Sequence, residues 1–324
     1  MWSVATITPV LNDAQDLTAA VQSIQSQRDV VVDQIVIAVG PSSDESLAVA
    51  EGLAAEDPRI KVVSNPSGRT PEALNRAIEA TACDVIARVD ARSVLPPNYL
   101  RDAIETLTAT GAGNVGAVQV PVGQTSFERA VALAMTSPFG SGGAAYRSTD
   151  TAKPVDTAWL GVFRRDALVE VAGYDETFTR NQDAELNIRL NAADRPVWVD
   201  PRLAVSYRPR GSMSGLARQF FQYGWWRCRT VAKHPHSLKL RQMAAPVIVV
   251  GATAGTGLAV VWDRRFVAIP LAYCAALLLA AGTADAEGPR ERGDMAAALA
   301  AMHFGWGAGF LSSAGDQLRQ RFRR

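Results

Sequence analysis

Two aspartates, one closing an apolar strand and one at the mouth of a helix, are the residues of this chain best suited to chemistry. The first lies in Asp90-Ala91-Arg92, directly after the β-branched run Asp84–Val89. A carboxylate there can hold a divalent cation against a diphosphate, neutralising charge that builds on a leaving group. Arg88 and Arg92 flank it, and guanidinium groups pair well with phosphate. A turn or helix cap is the bland alternative for Asp90. The second aspartate is Asp183, in Asn181-Gln182-Asp183-Ala184-Glu185 ahead of the apolar positions Leu186, Ile188 and Leu190. Locally it suits a helix cap. A cap also points its carboxylate into the cleft before the helix, where it could accept a proton from an attacking hydroxyl. A third cluster, Gln219–Trp226, gathers Phe220, Phe221, Tyr223, Trp225 and Trp226 with Gln219 and Gln222. Packing at a membrane surface and stacking against a sugar or pyrophosphate both remain open for it. Cys83, Cys228 and Cys274 are scattered and odd in number, which fits a reducing cytoplasm and packing roles rather than a metal site.

The elements that must position these groups follow from the pattern of the first hundred residues. β-branched runs at Val4–Thr8, Gln34–Val39, Ile60–Ser64 and Asp84–Val89 alternate with helix-like segments at Asp13–Gln27, Ser43–Glu56 and Thr70–Ala82. This order predicts a Rossmann-like, mostly parallel sheet with helices on both faces. Ligands of such α/β sheets bind outside the carboxyl ends of the strands, here residues 9–13, 39–44, 65–69 and 90–92. Residues 121–153 are rich in Gly, Ser, Thr and Ala and read as a loop or lid. Regular structure resumes at Thr157–Phe163, with a helix at Arg165–Ala172 ended by Gly173 and another starting near Asp183. A strand pair at Val197–Val199 and Ala204–Tyr207 follows, then a helix over Met213–Ala232.

Charge is divided sharply along the chain. Residues 1–201 carry 16 Lys and Arg against 26 Asp and Glu, whereas residues 202–241 carry nine basic residues and no acid. A nucleic-acid binder would carry its positive charge on the folded domain itself, so no nucleic-acid partner is expected. The basic belt instead precedes two 19-residue uncharged runs, Ala244–Trp262 and Phe266–Ala284, joined by Asp263-Arg264-Arg265. Each approaches the ~20 apolar residues needed to span a bilayer, and Gly251 with Gly255 gives a small-residue spacing suited to a tight hairpin. Basic residues before a span favour the cytoplasmic side and attract anionic lipids. Three buried helices of a soluble domain are the alternative. A third apolar stretch, Met295–Gly315, precedes Arg319, Arg321, Arg323 and Arg324. Those basic residues would end on the wrong side if it crossed, so it is expected to lie in the interface or re-enter. Met1-Trp2-Ser3 leads into an apolar strand rather than a secretory signal. The expected organisation is a catalytic domain over 1–212, a basic and aromatic interfacial region over 213–243, and membrane-associated helices with a basic tail over 244–324.

From about Ala5 to Trp226 the chain resembles the family 2 glycosyltransferases, inverting enzymes of the GT-A type. Pro9-Val10-Leu11-Asn12-Asp13 is similar to the opening that lines the nucleobase pocket. Arg69 and Asn75 match the basic residue and Asn before the fourth strand, and Asp90-Ala91-Arg92 falls on the metal-binding Asp-x-Asp. Gln182-Asp183 falls on the pair whose Asp is the catalytic base, and Gln222-Tyr223-Gly224-Trp225-Trp226 on the Gln-x-x-Arg-Trp motif. Within the family it resembles the succinoglycan branch in Arg88-Val89-Asp90-Ala91, Pro96-Pro97-Asn98-Tyr99, Asn114-Val115-Gly116, Ala134-Met135-Thr136-Ser137-Pro138, Val162-Phe163-Arg164-Arg165 and Tyr207-Arg208-Pro209-Arg210-Gly211.

The resemblance implies a nucleotide-sugar donor, a UDP-hexose such as UDP-glucose, and a lipid-linked or growing polysaccharide acceptor. It also implies a Mg2+ or Mn2+ ion at Asp90 and a catalytic domain on the cytoplasmic face of the cell membrane; a homo-oligomer stays open. Donor contacts fall on Pro9, Asn12, Asp13, Asp44, Arg69, Asn75, Asp90 and Arg92, and acceptor or diphosphate contacts on Gln182, Gln222, Trp225 and Trp226. The departures lie at the donor. Val39-Gly40 stands where the family carries two aspartates, leaving Asp13 and Asp44 as the nearest substitutes. Arg92 replaces the second Asp of Asp-x-Asp, and Trp225 replaces an Arg. A transferase acting on a polyprenyl phosphate and a non-catalytic sugar-nucleotide-binding partner of a synthase are the competing readings. A dinucleotide oxidoreductase is disfavoured because no Gly-x-Gly-x-x-Gly follows the first strand.

Overall fold

The computed structural model describes residues 2–141 and 149–322. In chain order the elements are β1 (Val4–Val10), α1 (Ala14–Gln25), β2 (Gln34–Val39), α2 (Ser46–Glu56), β3 (Ile60–Ser64), α3 (Thr70–Glu79), β4 (Val85–Arg88), α4 (Tyr99–Thr110) and β5 (Asn114–Pro121). Then come α5 (Ser126–Thr136), α6 (Pro138–Ser141), β6 (Lys153–Pro154), β7 (Trp159–Arg164), α7 (Arg165–Glu170), α8 (Gln182–Ala192) and β8 (Val197–Tyr207). The helices α9 (Met213–Lys233), α10 (Leu240–Val261), α11 (Ala268–Gly282) and α12 (Pro289–Phe322) complete the chain. Contacts divide it into two compact units, Met1–Val120 with Ser148–Tyr207, and Pro121–Arg147 with Arg208–Arg324. Residues 121–147 thus group with the C-terminal helices, although the sequence predicts one catalytic domain over 1–212.

The first unit is an eight-stranded sheet in the order β3-β2-β1-β4-β7-β5-β8-β6. β1, β2, β3 and β4 are parallel, with Ile7 opposite Arg88 and Pro9 opposite Ala38. β7 joins antiparallel to both β4 and β5, so the sheet is mixed beyond its parallel half. Strands covered on both faces read as unbroken apolar runs, and every residue of β1 except half-exposed Pro9 is buried. Leu17, Val21 and Ile24 of α1 and Tyr99, Leu100, Ala103 and Leu107 of α4 fill one core cluster. Ala73, Leu74, Ala77 and Ile78 of α3, with Leu168 of α7 and Leu186 and Leu190 of α8, fill a second. Helices therefore cover the sheet on both faces, as the alternating pattern predicts.

The middle of the chain differs from its sequence reading. Residues 121–141 are not a structureless lid: α5 begins at a capping box in which Thr125 Oγ1 accepts the Glu128 N–H at 3.2 Å and Glu128 Oε2 accepts the Thr125 N–H at 3.1 Å. Residues 142–148 of that expected loop lie outside the described residues. The strand pair at 197–199 and 204–207 is one strand, β8, running through Asp200-Pro201-Arg202. The turn-like residues are absorbed because buried Asp200 accepts from Thr106 Oγ1 at 2.5 Å and from the Arg202 N–H at 2.9 Å. Cys83 and Cys228 are buried, whereas Cys274 is exposed and does not pack as expected.

In the second unit Leu240–Val261, Arg264–Gly282 and Pro289–Phe322 are long and apolar enough to cross a membrane. α12 is one unbroken helix of 34 residues, which removes the re-entrant path for Met295–Gly315, since re-entry breaks a helix. Gly255 meets Ile269, Phe266 and Pro270 closely, as the hairpin spacing predicts, while Gly251 has only an ordinary contact with Ile269.

Gly116 sits at a register shift between β5 and β7. A Cβ there would collide with the Ala158 side chain and lie 2.9 Å from the Trp159 carbonyl oxygen. Gly52, inside α2, has nothing near it. Gly116→Ala is therefore expected to destabilise by roughly 1–3 kcal/mol through overpacking. Gly52→Ala should stabilise by about 0.5–1 kcal/mol through helix propensity. Denaturation midpoints of the two purified variants in detergent check the opposite signs.

Candidate active site

β4 is an apolar central strand that ends in a charge. Its Arg88 is the sole charged residue of β1, β2 and β4, and its side chain is 5 % exposed. A guanidinium buried this way needs paired carboxylates, and two are present. Arg88 Nε donates to Asp90 Oδ1 at 2.8 Å, and its Nη1 donates to Asp183 Oδ1. One arginine thereby joins the end of β4 to the first turn of α8, across 95 residues of chain. Both carboxylates keep an open edge, with Asp90 32 % and Asp183 25 % exposed at the side chain. Asp183 is not the helix cap that its local sequence suggests. Asn181 takes that position with φ of 62° and no side-chain cap bond, which leaves the Asp183 carboxylate free for Arg88.

The electrostatics follow from this arrangement. Burial pushes the Asp183 carboxyl above the ordinary aspartate range; Arg88 pulls it down, Asp90 pushes it up, and the net shift is upward. Burial works against the Arg88 charge, but Asp183 and Asp90 outweigh it and hold the guanidinium well above its ordinary range. Tyr174 lies in the same field. Burial first, then the Asp183 charge, raises its phenol, and its buried hydroxyl has no hydrogen-bond partner.

The loops after β1, β2 and β4 are knitted around this pair. Asn12 adopts φ of 56°; its Oδ1 accepts the Ser43 N–H at 2.7 Å, and its own N–H donates to Ser42 Oγ at 3.0 Å. Asp44 accepts from Ser46 Oγ at 2.5 Å and from the Ala14 N–H at 3.1 Å, and the Ser46 hydroxyl chiefly holds its carboxyl below the usual range. Arg92 Nε donates to Asp13 Oδ1 at 2.5 Å while its side chain stays 65 % exposed. Arg69, at the start of α3, and Asn75, in its middle, reach across to the segment before α8. Asn75 Nδ2 donates to the Tyr174 carbonyl at 2.9 Å and its Oδ1 accepts the Tyr174 N–H at 2.8 Å, while Arg69 Nη1 donates to the Glu176 carbonyl at 3.2 Å. These two residues brace the loop that leads into α8.

Of the sequence-predicted residues, Pro9, Asn12, Asp13, Asp44, Arg69, Asn75, Asp90, Arg92, Gln182 and Asp183 all belong to the first unit, where Gln182 is half-buried on the first turn of α8. Gln222, Trp225 and Trp226 belong to the second. There Phe221 stacks on Trp225, and the Arg229 guanidinium lies 5.5 Å from the Trp225 ring and 5.4 Å from the Trp226 ring. Arg88 and Tyr174 escaped the sequence reading as parts of the carboxylate pair. A lone charge at the end of an apolar β4 was the available signal for Arg88, and it was read as a phosphate partner.

A divalent cation can be tested against these donors. Among the described residues no group of three His, Cys, Asp or Glu could hold a metal ion, so a closed protein cage is excluded. Mg2+ is commonly held by one or two carboxylates plus substrate phosphates. Asp90, with one oxygen on Arg88 and an open edge, fits that second kind of site.

The sheet topology, with one carboxylate after β4 and a second on the first turn of α8, matches the GT-A type of sugar-nucleotide transferase. Residues 5–171 match the family model described as Glycosyl transferase family 2. The chain belongs to glycosyltransferase family 2. It is 34% identical over 308 residues, 94% of this chain and 92% of the relative, to Succinoglycan biosynthesis protein ExoA of Rhizobium meliloti (strain 1021). It is 26% identical over 283 residues to Pre-mycofactocin glycosyltransferase of Mycobacterium tuberculosis, covering 86% of this chain and 55% of that relative. Among solved structures, the Pyrobaculum calidifontis mannosyltransferase PcManGT in complex with GDP-Man and Mn2+ superposes with a TM-score of 0.66 at 19% identity, over 93% of this chain and 86% of that one. S. aureus TarS 1-349 in complex with UDP gives a TM-score of 0.50 at 14% identity, over 97% and 92%. These two share the fold.

The raised Asp183 carboxyl has a consequence for stability. The folded protein holds this proton to higher pH than the unfolded chain, so in that window the unfolded state binds fewer protons and stability falls as pH rises. The contribution is complete below the ordinary value of 3.8 and lost as pH climbs through the folded value. Asp183→Asn does not titrate. Apart from a constant offset for its altered contact with Arg88, the variant's melting temperature should gain on the wild type as pH rises from about 4 toward neutrality. A flat or shrinking difference would show that Asp183 ionises as easily folded as unfolded.

Proposed function

We propose that this protein is an inverting hexosyltransferase that moves a sugar from a UDP-sugar to a hydroxyl of a lipid-linked or growing polysaccharide acceptor. The observation that carries this reading is the convergence of Asp90 and Asp183 on Arg88. The succinoglycan relative, similar over 94% of this chain, supports polysaccharide synthesis as the setting. The apolar C-terminal helices and the basic belt support anchoring to anionic lipid, with the catalytic unit on the cytoplasmic face.

In this reading the nucleobase lies against Pro9, Asn12 and Asp13. The diphosphate lies beside Arg69, Asp90 and Arg92, and Asp44 holds the pocket's loops together. Asp183 Oδ1 is fixed by Arg88, and its other oxygen takes the proton of the acceptor hydroxyl. The acceptor oxygen forms a bond to the anomeric carbon as the bond to the diphosphate oxygen breaks, its electron pair leaving with the diphosphate. One displacement on the opposite face turns an α-linked donor into a β-glycoside. A Mg2+ or Mn2+ ion held by Asp90 and the donor phosphates supplies neutralising charge for the leaving group. Gln182, Gln222, Trp225 and Trp226 are assigned to the acceptor and diphosphate side by family resemblance.

General-base assistance is worth about 10²–10⁴-fold. Asp183→Asn should therefore lower kcat by that order while leaving UDP-sugar binding, read by calorimetry, nearly unchanged. Near-normal transfer by this variant would remove the base assignment. Arg92 sets a second test, because it puts a fixed cation where the family has a metal ligand. Chelation should weaken transfer less than Asp90→Ala does; complete loss with chelator beside a fully active Asp90→Ala variant would reverse that order and refute it.

A further inference from the structure

The three apolar helices of the second unit are not equivalent, although all are long enough to cross a bilayer. A helix that faces lipid must present large apolar side chains outward. α10 and α11 do so: Val247, Val250, Val260, Val261, Leu271, Leu278 and Leu279 are each more than half exposed. α12 does not. Between Met295 and Phe310 it exposes no large apolar side chain, and Met295, Ala298, Leu299, Met302 and Phe310 are buried.

α12 touches α10, where a Cβ on Gly307 would lie 2.5 Å from the Ala245 carbonyl oxygen, and α11, where Tyr273 Oη lies 3.0 Å from His303 Nδ1, but its longest seam is with the polar helix α9. A Cβ on Gly224 of α9 would collide with the Trp306 carbonyl oxygen, one on Gly309 with the Phe221 carbonyl oxygen, and one on Gly305 would come within 2.7 Å of the Ala217 carbonyl oxygen. Further along, Gln317 Nε2 donates to Cys228 Sγ at 3.3 Å and Arg229 pairs with Asp316 at 3.5 Å. The contacts climb together, 217 with 305 through 229 with 316, so α9 and α12 run parallel in backbone contact for three turns. α9 carries Arg218, Arg227, Arg229 and Lys233 with Gln219 and Gln222, a composition strongly unfavourable inside hydrocarbon. The N-terminal half of α12 is held the same way. Glu291 pairs with Arg129 of α5 at 3.4 Å, and His303 Nε2 lies 2.8 Å from the Phe139 carbonyl of α6. That carbonyl can only accept, so Nε2 carries the proton.

We infer that α12 does not cross the membrane, and that the lipid-facing surface is the α10–α11 hairpin alone, its tip at Trp262–Arg265 reaching the far face. The depth of α12 is set by α9, and α9 cannot enter the bilayer core. The C-terminus therefore stays on the side where α10 begins, which also places Arg319 and Arg321 with the basic belt. The inference rests on the membrane reading of α10 and α11 and not on the transfer chemistry.

The test is cysteine accessibility in the full-length protein with Cys83, Cys228 and Cys274 replaced by alanine. Single cysteines replace the exposed residues Ser214, Arg264, Asp285 and Gln320, and a membrane-impermeant maleimide is applied to sealed right-side-out and inverted vesicles. Ser214→Cys, Asp285→Cys and Gln320→Cys should label from one face and Arg264→Cys from the other. Labelling of Gln320→Cys from the face opposite Asp285→Cys would overturn the inference, because α12 would then span. So would labelling of all four from one face, because the hairpin would then not cross. Release of the protein by alkaline carbonate would instead remove the membrane reading itself, a different failure.

Discussion

The catalytic unit depends on one buried guanidinium. Arg88 lies 5 % exposed at the end of a central strand and is neutralised by two carboxylates from distant parts of the chain. Removing either partner of a buried pair leaves an uncompensated charge, at a cost of about 3–5 kcal/mol. Bringing β4 and the start of α8 together therefore stabilises the fold, and it sets the two carboxylates on one guanidinium. The arrangement still costs something: burial and the neighbouring Asp90 charge raise the Asp183 carboxyl despite its contact with Arg88.

Around that pair the rigidity comes from loop-to-loop bonds rather than from regular structure. Ser42, Ser43 and Ser46 satisfy Asn12, Asp13 and Asp44, so the β1 and β2 loops hold each other. Close approach at Gly40 and Gly68 brings in the β3 loop: a Cβ on Gly40 would lie 3.1 Å from Gly68 Cα and 3.1 Å from the Leu11 side chain. Where the family carries two aspartates, this chain has Val39-Gly40, and the glycine lets three loops close on one another. The lost carboxylates are thus replaced by backbone proximity. Asp44 is a structural tie with its oxygens already engaged, which makes it a poor stand-in for a base-binding acid. Asp13 is instead paired to Arg92 across adjacent strand ends.

The parallel half of the sheet was legible in the sequence because its strands are buried on both faces and separated by amphipathic helices. Gln34–Val39 and Ile60–Ser64 needed no revision. β8 was misread as two strands because Asp200-Pro201 mimics a turn; only the burial of Asp200 against Thr106, a contact 94 residues away in sequence, keeps the strand continuous. α5 was missed although Thr125 and Glu128 spell a capping box, because the composition around it suggested a loop. At the site, motif order located Asp90 and Asp183 but not their partner. Local sequence favours Asp183 as a cap; the αL conformation of Asn181, invisible in sequence, puts the cap two positions before the acid.

The same limit applies to the apolar helices. Hydropathy scores a helix by its own residues, and on that scale α12 resembles α10 and α11. Three of its glycines carry the opposite information, since Gly305 and Gly309 mark close approach of the α9 backbone and Gly307 that of α10. Gly305 and Gly309 are set four residues apart on α12, and Gly224 answers from α9, so the least apolar of the three candidate helices is the one committed to a polar neighbour. An apolar helix inside a folded unit and one inside a bilayer have the same composition. What separates them is whether the apolar side chains are already covered, and along α12 from Met295 to Phe310 they are.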